Sequence, residues 1–116
     1  NLGVVQHNQV PSLYKYCNAL ILPTLLESFT GTYVESMQFE KPIFTTDIDF
    51  SREICEDVAT FFNPFSAEDI LNKLKLIEDN TYVQEKVALG IKRKNKLPGW
   101  KDVGDSLISH LHEISL

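Results

Sequence analysis

The chain has 116 residues and a net charge of −5, with 43% hydrophobic and 23% charged side chains. This length allows one domain, and this hydrophobic content excludes a disordered chain. The acidic balance argues against binding to nucleic acid or to an anionic membrane surface, since both favour a basic face. Cys17 and Cys55 are far apart, so we expect a reducing compartment with neither a disulfide nor a zinc site.

Four short apolar runs predict strands. They cover residues 2–5, 19–22, 43–46 and 58–62. The run at 19–22 is continuous and ends at Pro23, which favours a strand that is buried on both faces.

Helical patterns alternate with these strands and then continue alone. They predict helices over residues 10–17 and 32–40, and three more between residues 66 and 116. The patterns that begin at Ser66 and Thr81 have the spacing of capping boxes, so each residue is predicted to start a helix. Trp100 is predicted to anchor the last helix in the core. This order of elements predicts an α/β fold with a parallel sheet.

The stretch after the strand at 19–22 is the best candidate for chemistry, because parallel sheets bind ligands beyond the carboxyl ends of their strands. Glu27 lies in this loop, and Glu35 lies eight positions further on, in the first turn of the next helix. Carboxylates can hold adjacent hydroxyls, and amides at a helix start attract phosphate. Small and hydroxyl-bearing residues between the two glutamates would let a ligand approach those amides. The pattern therefore fits a nucleotide-sugar.

This block resembles the carboxyl-terminal domain of the retaining, nucleotide-sugar-dependent glycosyltransferases of family four, which have two Rossmann-like domains in the GT-B arrangement. Glu27 and Glu35 match the family's pattern of two glutamates separated by seven residues. Flanking segments extend the match: Leu13-Tyr14, Ile21-Leu22-Pro23, Glu35-Ser36-Met37, Lys41-Pro42 and Phe62-Asn63-Pro64. The resemblance covers residues 2–78 well and the terminal helices loosely.

The resemblance implies a role for each matched position. Glu27 would contact hydroxyls of the donor sugar and is the expected catalytic residue, and Glu35 would bind the ribose hydroxyls. Backbone amides of the intervening segment would lie near the sugar and the diphosphate. The remaining donor-binding positions are Ser28, Phe29, Thr30, Gly31 and Thr32. Ser28 and Thr30 stand where the family commonly has glycine, which leaves the assignment of individual amides open.

The resemblance also implies a Rossmann-like parallel sheet flanked by helices, as an incomplete carboxyl-terminal domain of a GT-B fold over residues 1–116. Residues 1–64 would form strand–helix units, and residues 66–116 would form the terminal helices. The family's basic pair, which stabilises the leaving diphosphate, would precede Asn1, as would the acceptor-binding domain. We therefore expect little or no sugar transfer by this chain alone, and self-association through an unpaired sheet edge.

The implied reaction passes a hexose-type sugar from a nucleotide diphosphate to a glycan or lipid-linked acceptor with retained configuration. It is typical of bacterial polysaccharide biosynthesis and needs no cofactor or metal beyond the donor. No signal peptide or membrane span is visible in the sequence. We expect a cytoplasmic protein whose full-length form can rest on the inner face of the membrane.

The same residues also allow other interpretations. Thr32-x-x-Glu35 is also a capping box, in which Glu35 would bind the Thr32 amide instead of a ribose. Glu27 has an alternative of its own, an ordinary solvated loop acid. Arg52 does not stand at the position of the family's basic pair. For the whole chain, the alternative is a non-catalytic α/β module that binds a small ligand or another protein.

Overall fold

The computed structural model describes residues 1–27 and 30–114, which form six α-helices and three β-strands. The helices are α1 (Val10–Tyr16), α2 (Thr32–Gln38), α3 (Asp49–Cys55), α4 (Ala67–Leu74), α5 (Asn80–Lys94) and α6 (Trp100–Ile114). The strands are β1 (Leu20–Leu22), β2 (Ile43–Thr46) and β3 (Ala59–Phe62).

The three strands form one parallel sheet in the order β1-β2-β3. Ile43 of the central strand lies opposite Leu20 on one side and Ala59 on the other. Every residue of β2 is buried, as expected for a parallel strand that has neighbours at both edges and helices on its faces. The predicted α/β fold with a parallel sheet flanked by helices is confirmed.

Residues 2–5 do not form the predicted strand. Within the described part of the chain, the first strand begins at Leu20, and the Val4 residue is 99% exposed. An apolar run of four residues has the composition of a strand, but it becomes one only by pairing with another strand. The segment 2–5 does not pair with β1, β2 or β3.

The strand β1 lies at the edge of the sheet, and the expectation that both of its faces are buried is wrong. Its side chains alternate in direction, so that Leu20 and Leu22 pack on the core while Ile21 points away and is 51% exposed. A continuous apolar run thus predicted the strand correctly but did not predict how fully it is covered.

One part of the core lies on the sheet face that also carries α2, and its buried apolar cluster consists of Tyr33, Met37, Ile43, Cys55, Val58 and Ala59. Phe44 and Phe62 are also buried, outside this cluster. Gly90 of α5 lies against this cluster, where an added methyl group would make ordinary van der Waals contacts, at 3.4 Å with Val58 and 3.5 Å with Met37. The helices α2 and α5 therefore pack against each other as well as against the sheet.

The starts of the later helices agree with simple capping chemistry. Ser66 caps α4 by accepting a hydrogen bond from the Asp69 amide at 3.2 Å. The helix α5 is capped by Asp79, whose carboxylate accepts from the Thr81 and Tyr82 amides, so the predicted start at Thr81 is slightly late. Within residues 1–27 and 30–114, no helix has both the length and the apolar character that crossing a membrane requires.

The last helix, α6, forms as predicted, but its apolar stripe does not belong to the core. Trp100 is 89% exposed, so the expectation that it anchors this helix is wrong. None of the described side chains of α6 is buried, and Val103, Leu107 and Leu111 all remain exposed. Helical spacing predicts an apolar stripe, but it does not specify which surface covers that stripe.

Two adjacent threonines at the end of β2 differ in how their buried hydroxyls are satisfied. Thr45 Oγ1 donates to the Leu22 carbonyl at 2.8 Å and lies 2.7 Å from the Tyr33 hydroxyl. The Thr46 side chain is equally buried, but its hydroxyl has no hydrogen-bond partner in the part of the chain that the structure describes. The same substitution should therefore have opposite effects at the two positions.

We expect Thr45→Val to lower the free energy of unfolding by about 1–3 kcal/mol, because it leaves two buried polar groups without their partner. We expect Thr46→Val to raise it by up to about 1 kcal/mol, because it removes an unsatisfied buried hydroxyl and keeps the side-chain shape. Urea unfolding of both variants beside the wild-type chain measures these changes. Equal losses of stability would contradict the prediction.

Candidate functional site

The candidate site lies at the carboxyl ends of the parallel strands, which all meet at one edge of the sheet. The segment 23–31 leaves β1 at this edge and leads into α2. The segments that follow β2 and β3 meet at the same edge, where a cavity of about 490 Å³ opens. The cavity is lined by Leu25, Asp47, Ile48, Asn63, Pro64 and Phe65. The fold therefore places the loop with Glu27, and the start of α2 with Glu35, where parallel α/β sheets bind their ligands.

The first turn of α2 does not form the capping box that the sequence allowed. Gly31 is the residue before the first helical position, and it makes no side-chain cap. The Thr32 amide donates instead to Thr30 Oγ1 at 3.3 Å, and the hydroxyls of Thr30 and Thr32 contact each other. The capping-box interpretation of Glu35 is therefore wrong, because Thr30 supplies the acceptor that Glu35 would have provided.

The Glu35 carboxylate is bound by a tyrosine of another helix. The Tyr14 hydroxyl of α1 donates to Glu35 Oε2 at 3.1 Å and lies 3.3 Å from the Thr32 carbonyl. The other oxygen, Oε1, lies beside Gly31, where an added methyl group would be 3.7 Å from it. One carboxylate oxygen is thus held by Tyr14, and the other lies at the start of α2.

Glu27 is partly buried and lies close enough to Tyr33 to act on it electrostatically. Burial is the main cause that raises the pKa of Tyr33, and its hydrogen bond to Thr45 opposes that rise. Electrostatic interactions with Cys55 and Glu27 add smaller increases in the pKa. Glu27 is therefore only partly exposed, and its charge lies near the buried Tyr33.

The structure brings four of the predicted site residues into one group at the start of α2: Thr30, Gly31, Thr32 and Glu35. Ser28 and Phe29 lie outside the described residues. Tyr14 is the addition that sequence reasoning missed, since it was interpreted only as a helical residue of the flanking pattern. Its contact with Glu35 depends on how α1 lies along α2, and no local spacing encodes that packing.

The comparison with family models agrees with this architecture. The model of the glycosyl transferases group 1 matches residues 2–95. The chain belongs to this family. Membership indicates glycosyl transfer as its function, and the parallel sheet flanked by helices fits a Rossmann-like domain of such an enzyme. Neither the curated proteins nor the solved structures show a significant match to the chain.

In this glycosyltransferase domain, the Arg52 cation near the sheet edge is already engaged. Its guanidinium binds both carboxylate oxygens of Asp47, with 2.7 Å between Nη2 and Oδ2, and it stacks 4.7 Å from the centre of the Phe61 ring. The hydrogen bond from Arg52 holds the pKa of Asp47 below its usual value.

Among residues 1–27 and 30–114, no group of three His, Cys, Asp or Glu side chains could hold a metal ion.

The depressed pKa of Asp47 predicts a pH-dependent contribution to stability. A carboxyl group whose pKa is lowered by folding stabilises the protein above its unfolded pKa of about 3.9, and that contribution is lost as the pH falls through the folded pKa. Asp47→Asn should therefore reduce stability near neutral pH and cost little near pH 2. The effect should be smaller than that of Thr45→Val, since the Arg52 and Asp47 side chains are 56% and 43% exposed.

Urea unfolding of the wild-type chain and Asp47→Asn at both pH values measures this difference. A stability difference between the two proteins that does not change with pH would contradict the assignment.

Proposed function

We propose that this chain is the donor-binding part of a retaining, family-four glycosyltransferase whose donor is a nucleotide-diphosphate sugar. The observation that carries the proposal is the position of the Glu35 carboxylate and the hydrogen bonds around it. Its carboxylate does not cap α2, because Thr30 takes that role, and its Oε1 lies beside Gly31 at the sheet edge where ligands of this architecture bind.

Each of the two glutamates binds a different part of the donor. Glu35 binds the ribose hydroxyls, since a carboxylate offers two oxygens that can accept hydrogen bonds from a pair of adjacent hydroxyls. Glu27 contacts the hydroxyls of the transferred sugar and is the catalytic carboxylate of the site. Its partly buried place near Tyr33 supports this role, because a carboxylate that is less exposed to water forms stronger hydrogen bonds with hydroxyls.

The segment between the glutamates holds the rest of the donor. The proposed donor-binding positions are Ser28, Phe29, Thr30, Gly31 and Thr32, whose backbone amides lie near the sugar and the diphosphate. Gly31 supports this arrangement, because a residue without a side chain lets a ligand come close to the backbone. No metal and no cofactor other than the donor takes part.

Sugar transfer develops negative charge on the leaving diphosphate, and cations or aligned donors must stabilise that charge. Arg52 is a poor candidate for this task because Asp47 already engages its guanidinium. We propose that residues 1–116 form part of the carboxyl-terminal domain of a GT-B enzyme, with strand–helix units over 1–64 and terminal helices over 66–116. The chain alone then transfers sugar weakly or not at all.

The proposed full enzyme transfers a hexose-type sugar to a glycan or lipid-linked acceptor, which its amino-terminal domain binds. This reaction belongs to bacterial polysaccharide biosynthesis, in the cytoplasm or at the inner face of the membrane, and does not involve nucleic acid. Self-association along the outer edge of β1 is also proposed, because β1 pairs with β2 on one side only among the described strands.

Titration of the chain with UDP-, GDP- and ADP-sugars by calorimetry tests the proposal. We expect one of these donors to bind, and we expect Glu27→Ala and Glu35→Ala to weaken its binding by roughly 10- to 100-fold, since each removes a charged hydrogen-bond acceptor. Glu85→Ala on the exposed surface of α5 is the matched control and should leave the dissociation constant unchanged.

Absence of donor binding at millimolar concentration, or equal binding by all three variants, would contradict the proposal and support the non-catalytic α/β module instead. Circular dichroism of each variant separates loss of binding from loss of fold. Sugar transfer by the chain alone at rates of ordinary enzymes would contradict the proposed incompleteness of the active site.

A further inference from the structure

Tyr14 lies along the side of α2 that carries Glu35 and Phe39. Its ring stacks on the Phe39 ring, with the two centres 5.0 Å apart and the planes 3° from parallel. Phe39 directly follows α2, and its amide donates to the Glu35 carbonyl at 2.9 Å, so the two residues lie one helical turn apart on the same side. The stack fixes the tyrosine ring, so that its hydroxyl reaches Glu35 Oε2 and the Thr32 carbonyl.

The Tyr14 hydroxyl stays protonated and therefore remains a hydrogen-bond donor. Burial, and after it the hydrogen bond and the charge of Glu35, raise the pKa of Tyr14 far above its usual range. The hydroxyl therefore keeps its proton throughout the physiological range. Of its two neighbouring oxygens, the carboxylate is the stronger acceptor because it is charged, and it is also the nearer one.

This bond restricts a side chain that would otherwise move. A glutamate in the first turn of a helix has several rotatable torsions, and a ligand that binds it must pay for ordering them. With Oε2 held by Tyr14, the opposite oxygen is directed to the space beside Gly31. We propose that Tyr14 is a positioning residue that holds Glu35 ready for the ribose hydroxyls of the donor, an inference that rests on the function proposed above.

The same hydrogen bond also ties α1 to α2, and a purely structural role would change stability alone. Tyr14→Phe separates the two roles, because phenylalanine keeps the stack on Phe39 and removes only the hydroxyl. Tyr82 provides the matched control. Its hydroxyl lies 2.8 Å from Thr60 Oγ1 in a partly buried contact, and Tyr82→Phe removes a comparable bond at the start of α5.

The test measures dissociation constants for UDP, GDP and ADP and for their 2′-deoxy counterparts. For the nucleotide that the wild-type chain binds best, Tyr14→Phe should weaken the ribose form about three- to tenfold, which is the cost of ordering one flexible side chain on binding. The 2′-deoxy form should weaken much less, because it has fewer hydroxyls for Glu35 to hold. Tyr82→Phe should change neither constant.

A double-mutant cycle adds a second readout. In a Glu35→Ala background, Tyr14→Phe should have no further effect on binding, because the side chain that it positions is gone. Equal weakening of the ribose and 2′-deoxy forms, or additive effects in the cycle, would overturn the positioning role and leave the proposed function intact. Failure of the wild-type chain to bind any of the nucleotides would overturn both.

Discussion

The buried hydroxyl of Thr45 determines how the sheet edge is arranged. It has a single proton, which it donates to the Leu22 carbonyl, so the Tyr33 hydroxyl must donate to it in turn. Leu22 is the last residue of β1, and Tyr33 lies in the first turn of α2. One threonine on the central strand therefore fixes both ends of the segment that carries Glu27. In a buried setting such a chain of bonds has few alternatives, since each unmade bond would leave a polar group without a partner.

The elements that could be predicted from sequence are those that their own local residue pattern is sufficient to specify. The strand β2 has the predicted bounds, because an apolar and β-branched run closed by polar residues is sufficient to specify it. The predictions that failed concern what covers a surface. Leu2, Val4, Ile21 and Trp100 all have the apolar character of core residues, yet each is more than half exposed. Burial depends on which distant part of the chain arrives at a surface, and a local pattern contains no information about that.

The candidate site shows the same division. Its place at the carboxyl end of β1 could be predicted from the alternation of strands and helices, because parallel strands all end at one edge of their sheet. The partner of Glu35 could not be predicted, since two acceptors near the start of α2 compete for the Thr32 amide. Thr30 makes that contact, and Glu35 turns to Tyr14 instead. Tyr14, which determines the hydrogen bonding of Glu35, thus lies outside the two-glutamate motif, on the preceding helix.

The exposed stripe of α6 has a consequence for how the molecule opens. The helix has 15 residues, a length at which an isolated helix is marginal in water. Because none of its described side chains is buried, its backbone hydrogen bonds can break without exposing the core. Its amide protons should therefore exchange with solvent through local fraying, whereas those of β2 exchange only when the sheet itself comes apart. We therefore expect α6 to open locally, at a lower free energy than the opening of the sheet and the helices that share its buried core.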